Sequence, residues 1–155
     1  MEMRITPSFT SVAEIELVYR SKIKPSLRPT VSEAKHAYEV FLNHWDMNKM
    51  ELQEQFKIML LSNANKVLGI YECSSGSLIG TVVDIRLIFC CALKANAKRI
   101  ILCHSHPSGN LKASQSDLSL TQRLVQAGKL MDIAVIDHLI ITTEGFISIV
   151  DEGLL

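Results

Sequence analysis

Ile100-Ile101-Leu102-Cys103-His104-Ser105-His106-Pro107-Ser108-Gly109 is the stretch on which the fold and the chemistry of this chain turn. Four apolar residues lead directly into two histidines spaced two apart, and such a run reads as a buried strand. In a strand, side chains at i and i+2 leave on the same side, so the His104 and His106 rings converge while Cys103 points away from them. Pro107 has no N–H to give a ladder and ends the strand. Ser108-Gly109-Asn110 lets the chain turn, and Asp117 returns about one turn into a following helix. Two imidazoles and one carboxylate make three donors, which leave a tetrahedral ion one position for water. That is the layout of a hydrolytic metal site, not a structural one.

The H-x-H spacing alone carries little weight in a chain with five histidines. Pro107, Ser114 and Asp117, following in order, make it specific. Ser114-Gln115-Ser116-Asp117 is also a good helix start in its own right, with Ser114 as N-cap and an acid three residues on. The two readings are compatible, because one helix N-terminus can present both side chains to the same site.

Outward from this stretch, residues 12–19 alternate and are expected to form a strand, and Pro25 and Pro29 bracket a loop. Ser32 can cap a helix on which Ala34, Tyr38, Phe41, Leu42 and Trp45 recur at helical spacing. His36 and His44 fall on or near it with no carboxylate or thiol at ligand spacing, and read as surface residues. Residues 56–61 read as a strand, 62–65 as a turn and 67–72 as the hairpin partner. Ser74 to Ser77 and Gly80 interrupt a short third extended segment. Asp84 is a candidate N-cap for a helix that turns Ile85, Ile88, Phe89 and Ala92 inward. A helix over about residues 114–130 follows the histidine strand. Its stripe is Leu120, Leu124, Ala127 and Met131, and Gly128 weakens its last turn. Residues 133–141 and 146–150 supply two more strands. The order predicts a mixed α/β domain, with a central, mostly antiparallel sheet flanked by helices. Residues 1–50 are expected to pack a strand and a helix on a core built from 51–155, in one compact unit.

Sixteen basic and sixteen acidic residues leave no net charge, which argues against a strong electrostatic grip on nucleic acid. Arg20, Lys22, Lys24 and Arg28 form a modest basic stretch that reads as solvated loop charge. No apolar run is long enough to span a bilayer, so no membrane partner is expected. Met1-Glu2-Met3-Arg4 does not open a signal peptide. Cys73, Cys90, Cys91 and Cys103 show no C-x-x-C pattern and read as buried free thiols of a reducing, cytoplasmic setting.

The motif of His104, His106, Pro107, Ser108 and Gly109 with Ser114 and Asp117 resembles that of the JAB/MPN (JAMM) metalloenzyme superfamily. The version found here is similar to the bacterial RadC-like proteins. Those carry a Gly-Thr before the central helix, here Gly80-Thr81, and a later Asp-His, here Asp137-His138-Leu139-Ile140-Ile141-Thr142. The resemblance covers residues 54–155. Ser105 departs from it, standing where many RadC-like proteins have Asn, and the helix-hairpin-helix region of longer relatives is not recognisable.

The resemblance implies a JAB/MPN, cytidine-deaminase-like layout and a zinc ion on His104, His106 and Asp117. It implies a general base upstream of the histidines. Glu54-Gln55-Phe56 matches the Glu-x-Phe of RadC-like chains, with Glu72 as the main rival and Glu51 behind it. It gives Ser114 the part of donor to an oxyanion, which spacing alone would not separate from Ser116. Asp137 and His138 interrupt an apolar strand and need partners. They read either as support for a ligand histidine or as satisfied core residues, outside the metal site. The expected function is a zinc metallohydrolase cleaving a peptide or isopeptide amide, with a peptide or protein as partner. A DNA-repair or DNA-processing factor and a non-catalytic MPN scaffold are the alternatives. Oligomeric state is not legible.

Overall fold

The histidine strand, β3 (Arg99–Ser105), lies in the middle of the sheet. The computed structural model describes residues 12–76 and 83–155. Its elements are α1 (Ala34–Leu42), β1 (Gln55–Leu61), β2 (Val67–Ser75), α2 (Ile85–Lys94), β3, α3 (Gln115–Leu130), β4 (Ala134–Ile141) and β5 (Phe146–Ser148). The strand order is β2-β1-β3-β4-β5, and every pairing is antiparallel except that of β3 with β4. This is the mixed α/β architecture expected, with its sheet flanked by helices. A parallel pair needs a crossover, and α3 is that crossover.

Alternation along the central strands sorts their side chains into two cores. Ile58, Leu60, Ile100 and Leu102 pack with Ile88 and Phe89 of α2 and Leu124 of α3. Met59, Leu61, Ile101, Cys103 and Leu139 pack with Ala37 and Phe41 of α1 and with Trp45. With both faces covered, a one-residue slip of β3 would move every one of its side chains to the wrong layer, so its register is strongly specified. His104 shares the α2/α3 side with Leu102, and Cys103 lies on the α1 side.

On β4 an extra residue enters the ladder. Ile100 pairs with Val135 but Ile101 pairs with Asp137, so Ile136 is bulged. Val135 packs in the α2/α3 core, whereas Ile136 and Leu139 pack in the α1 core. The bulge shifts the alternation by one residue. As a result His138 is delivered to the side of the sheet that carries His104.

Several expectations are corrected. Residues 12–19 form no strand: Val12, Ile15 and Leu17 are 77%, 90% and 84% exposed, and a period-two pattern without a ladder partner does not make a strand. Helix α1 is preceded by Glu33, not Ser32, whose hydroxyl instead meets His36 Nδ1 at 3.0 Å. The expected stripe of α1 does face the core, with Phe41 and Trp45 buried and Ala34, Tyr38 and Leu42 packed against them, and Ala37 joins it. Strand β2 runs on through Ser74 and Ser75, and the Gly80-Thr81 pair lies outside the described residues. Cys90 is exposed, whereas Cys91 is half-buried and packs against the α2/α3 core. Burial pushes the Cys73 thiol up to about 12. Among the described residues no helix is long and apolar enough to cross a membrane.

Gly128 has a different part from the one expected. It is buried together with Thr121 and Leu124, while Met131 is largely exposed. A Cβ at this position would overlap the backbone carbonyl oxygen of Ile133, and the Ile133 N–H donates to the Gly128 carbonyl at 2.9 Å. Glycine lets the end of α3 touch the start of β4. Gly128→Ala should therefore destabilise the fold by about 1–3 kcal/mol through overpacking, read as a lowered urea midpoint. An unchanged midpoint would mean that this contact is not tight.

Candidate metal centre

His104 and His106 project from the end of β3, and Asp117 from the first turn of α3. His104 Nε2 lies 2.9 Å from His106 Nε2 and 3.3 Å from Asp117 Oδ1, and His106 Nε2 lies 3.6 Å from Asp117 Oδ2. An ion with bonds of about 2.0–2.1 Å in a tetrahedron has donors about 3.3 Å apart, and the three distances bracket that edge. Among the described residues these three form the one cluster of metal-donor side chains. The His104 side chain is 1% exposed, whereas those of His106 and Asp117 are 16% and 15% exposed, so the cluster opens to solvent on one side.

The outer ring nitrogens decide where the protons sit. His106 Nδ1 meets the Asn110 carbonyl at 2.5 Å, and a carbonyl can only accept, so the proton is on Nδ1. His104 Nδ1 meets His138 Nε2 at 2.7 Å. With His104 donating there, both inner Nε2 lone pairs point at each other and at a carboxylate. Such a group of bare donors is repulsive unless a cation lies among them, and the residues present therefore fit a divalent metal. The Asp117 carboxylate, through its hydrogen bond, raises His106 above its ordinary value against the opposing effect of burial. Burial pushes Asp117 up, but the two histidines that face it, His104 and His106, outweigh it and hold the group far below the usual carboxylate range.

Ser114 is the N-cap of α3 and completes a capping box with Asp117. Its hydroxyl accepts from the Asp117 N–H at 3.1 Å, and its own N–H donates to Asp117 Oδ2 at 2.7 Å. This box orients the carboxylate so that Oδ1 faces His104. The positive end of the helix dipole also favours an anion in the first turn. Ser114 is exposed and its hydroxyl proton stays available for donation.

Glu54 immediately precedes β1. Phe56 pairs with His104, so the same register carried two residues on sets Glu54 across from His106. The Glu54 charge is among the groups that raise His106. Glu72 is elsewhere: it pairs with Lys57 at 3.5 Å, and Lys57 lies over the Trp45 ring in the α1 layer, on the opposite face of the sheet. Glu51 lines a cleft beside His106 with Ser108, Gly109 and Glu144.

Of the two readings open for Asp137 and His138, support of a ligand histidine falls to His138 and the satisfied core position to Asp137, while Thr121, not singled out in the sequence, joins them. His138 is fully buried between His104 and Thr121, whose hydroxyl lies 2.6 Å from His138 Nδ1. Burial pushes its ring well below the ordinary histidine value. Asp137 is the core half of the pair. It accepts from the Ser148 hydroxyl and the His138 N–H, each at 2.7 Å, and burial raises its carboxyl. The signal for His138 was its presence in an apolar strand, but only the bulge tells which face it joins.

A family of RadC-like JAB domains matches residues 31–154. The chain belongs to that family. A UPF0758 protein of Flavobacterium johnsoniae is 45% identical over 101 residues, covering 65% of this chain and 44% of that protein. Another, of Syntrophotalea carbinolica, is 33% identical over 150 residues, covering 92% and 64%. A third, of Symbiobacterium thermophilum, is 34% identical over 146 residues, covering 94% and 61%. The RadC-like chain thus spans about half to two thirds of the length of these curated relatives.

The raised His106 has a consequence for metal uptake. Below its folded value the ring holds a proton that an ion must displace, and above it the site is free of that competitor. Apparent affinity should be full above the raised value and fall as pH drops through it, about tenfold per pH unit for one proton released. Calorimetric titration with zinc across about pH 5 to 8 measures this, and a pH-independent affinity would contradict it.

Proposed function

We propose that this RadC-like chain is a zinc-dependent hydrolase that cleaves a peptide or isopeptide amide. The observation that carries the reading is the meeting of two imidazole Nε2 atoms and a carboxylate oxygen, with the outer nitrogens of both rings already engaged. Zinc bound by His104, His106 and Asp117 would lower the pKa of water towards neutrality and polarise a carbonyl. His and carboxylate donors suit that ion, and three of them leave it open to substrate.

Glu54 takes the proton of the attacking water and hands it to the leaving amine. Its support is its place at the start of β1, across from His106 by register, and its charge acting on that ring. Glu72 is tied to Lys57 on the far face, which favours Glu54 over it. The Ser114 hydroxyl donates to the oxyanion that develops on the substrate, a contribution typically of about 3 kcal/mol for such donors. The cleft of about 250 Å³ beside His106, between Glu51 and Glu144, gives an extended polypeptide a way to the site. The partner is accordingly a peptide or protein. With sixteen acids balancing sixteen bases, nothing in the charge favours nucleic acid over it. Four free cysteines agree with a reducing cytoplasm.

Glu54→Gln keeps the shape of the side chain and removes its basicity. The variant should bind zinc like the parent and lose hydrolysis of a peptide library by at least about a hundredfold, the usual scale of a general base. Undiminished turnover would remove Glu54 from the reaction. Cleavage of DNA and no cleavage of any peptide or isopeptide by the parent would replace the proposed substrate class.

A further inference from the structure

The interior side of the metal centre ends in a chain of hydrogen bonds whose direction is set from its far end. Thr121, fully buried on α3, places Oγ1 2.6 Å from the Asp117 backbone carbonyl and 2.6 Å from His138 Nδ1. Two oxygens at that separation need a hydrogen between them, and the carbonyl has none to give. The threonine proton is therefore spent on Asp117, and Oγ1 faces His138 as an acceptor. His138 must then carry its proton on Nδ1. Its Nε2, 2.7 Å from His104 Nδ1, is bare and accepts from His104. His104 in turn is left with Nε2 bare, and that is the atom 3.3 Å from Asp117 Oδ1.

The path closes on itself, since the residue whose carbonyl starts it also supplies the carboxylate at its end. The loop stitches together α3, β4 and β3, and is walled off by Phe56, whose ring lies against His104 and edge-on to His138. Thr121, His138 and His104 are all buried, so the partners that hold the rings come from the protein.

We infer that His138 and Thr121 are positioning residues that lock His104 in the tautomer and orientation needed to bind a metal ion through Nε2. The inference rests on the metal-centre reading above and goes beyond it, for neither residue touches ion or substrate. An outer partner that fixes a ligand histidine raises the basicity of that ligand, and its loss typically costs about 10- to 100-fold in metal affinity. His138→Phe keeps the ring volume and removes the acceptor. Thr121→Val keeps the shape and removes the hydroxyl, while Thr121→Ser restores the hydroxyl.

Zinc affinity, by competition with a chromogenic chelator, and the visible absorption of the cobalt-loaded protein read the arrangement without recourse to activity. His138→Phe and Thr121→Val should each bind zinc about 10- to 100-fold more weakly with an altered cobalt spectrum, and Thr121→Ser should match the parent. Thermal unfolding of the metal-free forms checks that the variants are folded. Nitrogen-detected NMR of the zinc-loaded parent reads the tautomers directly, with His138 expected to carry its proton on Nδ1, and needs no variant at all. Parent-like affinity and spectra in both disabling variants, or a His138 protonated on Nε2, would overturn the relay alone. A parent that takes up no zinc would overturn the metal centre with it.

Discussion

The parallel pairing of β3 with β4 is the constraint on which the site depends. Parallel neighbours cannot be joined by a hairpin, so the chain must leave the end of β3, cross the sheet as α3 and re-enter as β4. The loop of residues 106–114 turns the chain back at the end of β3, and the first turn of α3 lies beside His104 and His106. A carboxylate in that turn is within reach of them, and the capping box with Ser114 aims it. The same crossover brings β4 alongside β3, and with it a histidine, His138, that backs the His104 ring from the interior.

Electrostatics explain why such an arrangement is tolerable in a folded chain. Two lone pairs and a carboxylate in one place would repel, yet each is provided for from outside the cluster. Asn110 and His138 take the outer protons of the rings, and the Ser114 N–H holds one oxygen of Asp117. The inward side is sealed by Phe56 and the outward side is wet, which leaves a cation-shaped demand at the boundary. The buried Lys57 charge is kept to the other face of the sheet, where Glu72, the His44 carbonyl and the Trp45 ring satisfy it.

Burying Asp137 and His138 in a strand of isoleucines is costly unless each finds partners, and each does. Asp137 accepts hydrogen bonds from Ser148 and from two backbone N–H groups, including that of Val150, and ties the chain after β5 to β4. His138 is held at both nitrogens. Neighbouring polar residues thus serve different layers, one structural and one beside His104: alternation separates them, and the bulge at Ile136 sets which layer each joins.

Most of the helices, most of the strands and the donor triad were legible in the residues, because they follow from rules that act within a few positions. Alternation alone puts His104 and His106 on one side of a strand, Pro107 stops it, and Ser114 with Asp117 caps the next helix. What depends on a partner far along the chain was not legible. Residues 12–19 alternate like a strand, but no ladder forms on them. Glu54 and Glu72 are both acids near β1 and β2, and only pairing with Lys57 assigns Glu72 to the far face. His138 owes its position to an extra residue in the β3–β4 ladder, and a bulge is a property of two strands together, written in neither of them alone.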